Sequence, residues 1–178
     1  NSSPVALCLD RTAPVSGTFI VSQEFLFEQN PKLAERARIR LIDTPKAVER
    51  EDAVENRGMI IASAHPVTQS GRLTGVIYAG ILLNRNTEIV DRIRDTVFSQ
   101  DTDQGINIGT ATIFFDDLRV STNVRNEEGG RAIGTRVSEE VKDQVLDLGE
   151  RWSDRAFVVN EWYRTAYDAI ENPDGERI

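Results

Sequence analysis

The chain has 178 residues, 39% of them hydrophobic and 28% charged, which places it among folded globular proteins able to bury one good core or two small ones. Its 21 basic against 29 acidic residues leave a formal charge of −8, which argues against a nucleic-acid binder and disfavours a surface that hugs anionic lipid. A single cysteine, Cys8, excludes an intrachain disulfide and a cysteine-based metal cage, and its apolar neighbours in VALCLD mark it as a small buried hydrophobe.

In chain order, SSPVALCLDRT reads as a short helix, with Ser3 as cap and Pro4 at the first helical position. GTFIV, residues 17–21, reads as a strand. Ser22 opens a helical stretch through EFLFEQ, and Asn30 with Pro31 starts another over PKLAERAR. IRLI is a predicted strand, and DTPKAVEREDAVENRG a polar connection. RGMIIASAHPVTQSGRLTGVIYAGILLN predicts two strands joined by a turn at Gln69–Gly71. The second of them, Gly75 to Leu83, is apolar on both faces and is therefore expected at the centre of a sheet covered on both sides. NTEIVDRIRDTVF puts Ile89, Val90, Ile93 and Val97 on one stripe of an amphipathic helix. SQDTDQGINIG is a polar linker, and the boundary between two modules, 1–100 and 101–178, is placed there.

The second module begins with TATIFF, turns at Asp116 and Asp117, and returns as LRVSTNV. After the RNEEGGRAIGT loop, Ser138 and EEVKDQVLDLG predict a helix with acids in its first turn and a glycine stop. RWSDRAFVVN and EWYRTAYDAI are predicted strands, the latter with Tyr163, Thr165 and Tyr167 on one face, and ENPDGE is a turn. AHPVTQSGRL and AYDAIENPDGERI both run strand, glycine-containing turn, return strand; the second copy stops at Ile178, so its sheet is expected to lack a last strand. The opening NSSPV, without a methionine, fits a piece of a longer protein. No run reaches the roughly 18 apolar residues of a membrane span.

Catalysis fits poorly. The one histidine, His65, precedes a proline in a strand and reads as structural. There is no nucleophile elbow, Walker loop, zinc-protease motif or dinucleotide fingerprint. DTDQG lacks the third acid and distal glutamate of a calcium loop, and the adjacent Asp116 and Asp117 suit a hairpin turn better than an acid–base pair. No catalytic residue, metal ligand or cofactor is therefore assigned. Arg119, Arg125, Arg131 and Arg136 stand out, with only Glu127 and Glu128 as acids between the first and the last. Guanidinium forks bind carboxylates bidentately, and aromatic walls strengthen that bond by excluding water. The residues alone leave two readings open: solvated arginines over core aromatics, or an anion pocket walled by Trp162, Tyr163 and Tyr167.

At these residues the chain resembles a known family. GTATIFFDDLRVSTNV, RAIGTRVSEEV and RAFVVNEWYRTAY are similar to the membrane-proximal half of Cache-type sensor domains, and RGMIIASAHPV with GVIYAGILLNRNTEIVDRIRDTVF to the preceding half of the double, fused type. The resemblance implies an α+β fold of two PAS-like Cache modules, each a mainly antiparallel sheet flanked by helices, lacking here the family's long N-terminal helix and final strand. It implies an extracytoplasmic, periplasmic sensor without enzymatic activity, part of a bacterial inner-membrane receptor. That receptor would be a sensor histidine kinase or a chemotaxis receptor, homodimeric when complete. The ligand would be a small organic anion such as a carboxylate or amino acid, held by Arg119 and Arg131 as clamps, Tyr163 and Tyr167 as hydrogen-bonding walls, and Phe157 or Trp162 as apolar lining. Strand alternation puts Trp162 opposite Tyr163, so both reach one pocket only across a bulge. The competing reading is a ligand-free interaction or spacer module, which an exposed apolar stripe on the NTEIVDRIRDTVF helix would favour.

Overall fold

The computed structural model describes residues 3–98, 102–103, 106–107, 109–159 and 161–178. In chain order the elements are α1 (Pro4–Arg11), β1 (Val15–Val21), α2 (Gln23–Gln29), α3 (Pro31–Ala37), β2 (Ile39–Arg40), β3 (Val54–Glu55), β4 (Gly58–Gln69) and β5 (Arg72–Leu82). There follow α4 (Thr87–Val97), β6 (Thr102–Asp103), β7 (Ile106–Asn107), β8 (Thr112–Phe115), β9 (Leu118–Thr122), α5 (Glu139–Lys142) leading into a π-helical turn (Asp143–Asp147), β10 (Trp152–Val158) and β11 (Glu161–Tyr167). Every strand pair is antiparallel, so the fold is α+β, as expected.

Local chemistry sets the early helices. Ser3 Oγ accepts from the Ala6 amide, Ser22 Oγ from Phe25, and Asn30 Oδ1 from Lys32, each supplying an acceptor to an otherwise orphaned N–H. Pro4 and Pro31 occupy first-turn positions where no amide is needed.

Contacts divide the chain into two compact units that interleave along the sequence. One comprises Asn1–Arg38, Asn56–Asn84 and Ile170–Ile178, the other Ile39–Glu55 and Arg85–Ala169. The sequence had suggested a cut near residue 100; by contacts, 85–98 packs within the second unit and 170–178 within the first.

In the first unit the sheet order is β1-β4-β5. Ile60, Ala62, Ala64 and Leu82 face Leu7, Cys8, Leu26, Ala34 and Ala37 of the helices. Asn84 is buried with its amide satisfied: Oδ1 accepts from Met59 N at 2.8 Å, and Nδ2 donates to Ala37 O at 3.0 Å and Arg57 O at 3.3 Å. The β4–β5 turn uses positive φ at Ser70 and Gly71, the two-residue hairpin geometry that matches strand twist. The expected central position of Gly75–Leu83 is corrected: β4 is central and β5 is the edge. Val76 and Leu82 point into the core, whereas Ile77 and Ile81 on the other face are 67% and 55% exposed. The apolar run thus reflects a sheet covered by helices on one face only. His65 lies on this open face, opposite Ile77. In the same unit, Arg11 pairs with Asp174 at 2.7 Å, and Asn172 Oδ1 accepts from the amides of Asp174 and Glu176 to close the ENPDGE turn.

The second unit holds two hairpins, β8–β9 and β10–β11, over a core of Val124, Ala132, Val137, Val141, Val145, Trp152, Ala156 and Val158. Three expectations are refined. IRLI shortens to Ile39–Arg40, paired with β3 inside the stretch expected to be a plain connection. The helix from Ser138 has four α-helical residues and then widens into the π turn. On α4 only Val90 is fully buried, and Ile93 and Val97 face outward. Of the SQDTDQGINIG linker, the described residues form the β6–β7 pair, and most of DTDQG lies outside the described residues.

Candidate ligand-binding site

Asp116 turns the β8–β9 hairpin with a left-handed φ of 53°. Across it, Phe114 faces Arg119, so the guanidinium carbon lies 5.0 Å from the phenyl centroid. The segment 132–137 runs along the other edge of β9: Arg119 N donates to Thr135 O at 2.9 Å, and Gly134 N to Arg119 O at 3.0 Å. This brings the Thr135 hydroxyl under the guanidinium, which donates to it through Nη1. Thr135 passes its own proton to Ala132 O at 2.8 Å.

Arg119 is only 2% exposed, yet no carboxylate neutralises it and its Nε has no hydrogen-bond partner among the described residues. Burial drives its pKa well below the ordinary guanidinium value, to about 10, slightly offset by the Tyr167 hydroxyl. Burial likewise raises the Tyr167 pKa, against the pull of the Arg119 charge and a Thr165 hydrogen bond. A charged donor held dry and unpaired is costly unless an anion completes it.

Arg119 opens into a cavity of about 580 Å³, lined also by Phe98, Thr110, Thr112, Val124, Val158, Tyr163 and Tyr167. That volume lies within the range of small-molecule sites. Tyr163 and Tyr167 pack against the core of the unit, and the Tyr167 ring meets Phe114 edge-on at 5.8 Å. Among the described residues β8 pairs only with β9 and β11 only with β10.

Of the six residues singled out in the sequence, the structure brings together three: Arg119, Tyr163 and Tyr167. Arg131 is engaged elsewhere. Its Nη1 and Nη2 bind Asp91 of α4 at 2.9 and 2.7 Å, and Nη1 also donates to Thr122 O at 2.8 Å; these bonds hold the Asp91 pKa below its ordinary value. Phe157 and Trp162 face each other across the regular β10–β11 register, on the side opposite Tyr163, and no bulge turns them inward. The other two arginines of the set are also spoken for. Arg125 donates to Gly129 O at 3.0 Å. Arg136 grips buried Asp117, 1% exposed, through Nε at 2.9 Å and Nη2 at 2.5 Å, while Arg50 holds the other carboxylate oxygen at 3.2 Å.

Sequence reading missed the supporting contacts. Asp91 and Arg50 lie tens of residues from their partners, and no local pattern ties them together. Phe98, Thr110, Thr112, Val124 and Val158 are unremarkable in composition. Val158, however, could have been found from the same alternation that excludes Phe157.

A buried guanidinium beside two tyrosines in one cavity is an arrangement that can bind and orient an anion. Among the described residues no group of three His, Cys, Asp or Glu side chains is placed to hold a metal ion. No helix among them is long and apolar enough to cross a membrane. The family described as single Cache domain 3 matches residues 81–178, more than half of the chain, and the chain belongs to that family. Cache domains are extracytoplasmic ligand-sensing modules of signalling receptors and are not catalytic. Comparison with curated proteins and with solved structures gives no match.

Proposed function

We propose that the chain senses a small organic anion, a carboxylate or an amino acid, in the cavity around Arg119, with Tyr163 and Tyr167 as its walls. The observation that carries this reading is the guanidinium with an unpartnered Nε, buried where only an incoming anion would neutralise it. A carboxylate presents two acceptor oxygens to such a fork, and the low local dielectric strengthens the pair. Arg131 contributes by fixing α4 to the loop through Asp91 rather than by touching the ligand.

The parent is a bacterial inner-membrane receptor, a sensor histidine kinase whose sensor domain, this chain, lies in the periplasm, and it acts as a homodimer. The two compact units support the double form of the fold, with a membrane-distal and a membrane-proximal module. Ligand that binds one receptor conformation better shifts the population by that difference in affinity. A thermal-shift screen of small carboxylates and amino acids, run in parallel on Arg119→Met, tests the reading. A stabilising hit that disappears in the variant is expected; hits that persist in the variant, or none across the panel, count against it. A second reading, a ligand-free interaction module of a chemotaxis receptor or cyclase, is favoured by the exposed Ile93 and Val97 of α4.

A further inference from the structure

The face of the β10–β11 hairpin opposite Tyr163 and Tyr167 is unlike the rest of this acidic chain, and its Arg164 also borders the cavity along β11. Arg155 and Arg164 stand directly opposite each other in the register, and both are exposed. Like charges facing across a ladder repel at Cβ separations of about 5 Å. One pair further along, Phe157 meets Trp162 edge-on at 5.7 Å, and the Lys46 ammonium lies 4.6 Å from the indole centroid and 5.5 Å from the phenyl. Trp162 remains 62% exposed despite that cover. Among the described residues, none of these three cations has a carboxylate partner. Two guanidinium groups and a half-open indole therefore share one sheet face, with the Lys46 ammonium over it.

We propose that this face docks on an anionic phospholipid surface. Arginine and lysine supply donors for headgroup phosphates, and the repulsion between Arg155 and Arg164 is relieved when an anion bridges them. Tryptophan favours the boundary between headgroups and hydrocarbon, where its ring is half wetted. The requirement is for an anion and an apolar layer together, which a bilayer of acidic lipid provides and a free anion does not. The formal charge of −8 repels the remainder of the chain from such a surface, so contact is confined to this face and fixes an orientation. Arg164 borders the cavity as well, so what separates this proposal from the cavity reading is Arg119, which takes no part in it.

The test uses the full chain with vesicles of phosphatidylcholine and phosphatidylglycerol, mixed two to one, at low ionic strength. Sedimentation reports partitioning and tryptophan emission reports immersion. Trp152 is buried and gives a constant background, so a blue shift on binding belongs to Trp162. Each cation near an acidic bilayer is worth about fivefold in partitioning, so Arg155→Gln with Arg164→Gln together should weaken binding roughly thirtyfold. Trp162→Phe should abolish the shift, and Arg119→Met should bind as the parent does. These side chains are exposed, and circular dichroism confirms that the variants are folded. Absence of vesicle binding, equal binding to pure phosphatidylcholine, or binding indifferent to the double arginine change would each overturn the proposal. So would capture of soluble polyglutamate with no partitioning into vesicles, which would assign the face to an acidic protein partner.

Discussion

Replacing Arg119 by methionine separates a ligand-binding cation from a structural one. The depression of its pKa from the ordinary guanidinium value to about 10 corresponds to a cost on the order of 3 kcal/mol for keeping the group charged in the cavity. Two contacts offset this: the hydrogen bond to Thr135, worth about 1.5 kcal/mol from a charged donor, and the stacking on Phe114, worth about 1 kcal/mol. The arginine is therefore close to neutral for the stability of the ligand-free protein. Methionine fills similar apolar space without strain. Arg119→Met should unfold in urea within about 1 kcal/mol of the parent, a melting shift of under ~4 °C. Affinity for the carboxylate found by screening should fall at least about thirtyfold by calorimetry, because a buried charged hydrogen bond is worth about 2–5 kcal/mol at a binding site. Destabilisation by more than about 3 kcal/mol would refute the reasoning, since that is the signature of breaking a satisfied buried ion pair.

Four further outcomes follow from the same geometry. Carboxylate affinity should be flat from pH 7 to 9 and fall about tenfold per pH unit above 10, as calorimetry across that range would record; the cation's folded pKa lies below its unfolded one, so its cost to stability is complete below pH 10 and fades as the pH rises further. Arg131→Gln frees part-exposed Asp91 of α4 and should cost about 1 kcal/mol in urea unfolding, with ligand affinity changed less than twofold. Arg136→Met strands buried Asp117 beside Arg50 alone and should cost about 3–5 kcal/mol in the same assay. Gly134→Ala, at φ 94° with its added Cβ only 2.4 Å from Arg40 O, should lower the melting temperature by several degrees, and a variant as stable as the parent would dispute that close approach.

Much of the fold was legible because its signals are local. Serine and asparagine caps, prolines at first turns and a serine–glycine hairpin announce themselves within four residues, and α1 to α3, β4 and β5 appear where those signals put them. The position of β5 was not legible. A strand apolar on both faces is ambiguous between a covered centre and an open edge, and only the tertiary arrangement decides. The site divides on the same principle. Composition and alternation pick out the arginine set and the aromatic strand, the family resemblance narrows them to Arg119, Tyr163 and Tyr167 among others, and alternation sets Trp162 opposite Tyr163. Arg131 looked equivalent to Arg119 because charge pairing over forty residues leaves no trace in a local window. What distinguishes the two is not the arginine but its acid: Asp91 reaches one and no described acid reaches the other.

The tight crossing of Gly134 over Arg40 O has a use beyond stability. A side chain of any size is barred there, and the flanking residues are chemically committed, Thr135 to Arg119 and Arg136 to Asp117. The result is a compact text, aspartate-x-arginine followed later by glycine-threonine-arginine, that can be sought in genomes. Chains carrying both halves should share the stranded cation, and those that lose the first arginine while keeping its neighbours should have exchanged their ligand for an uncharged one.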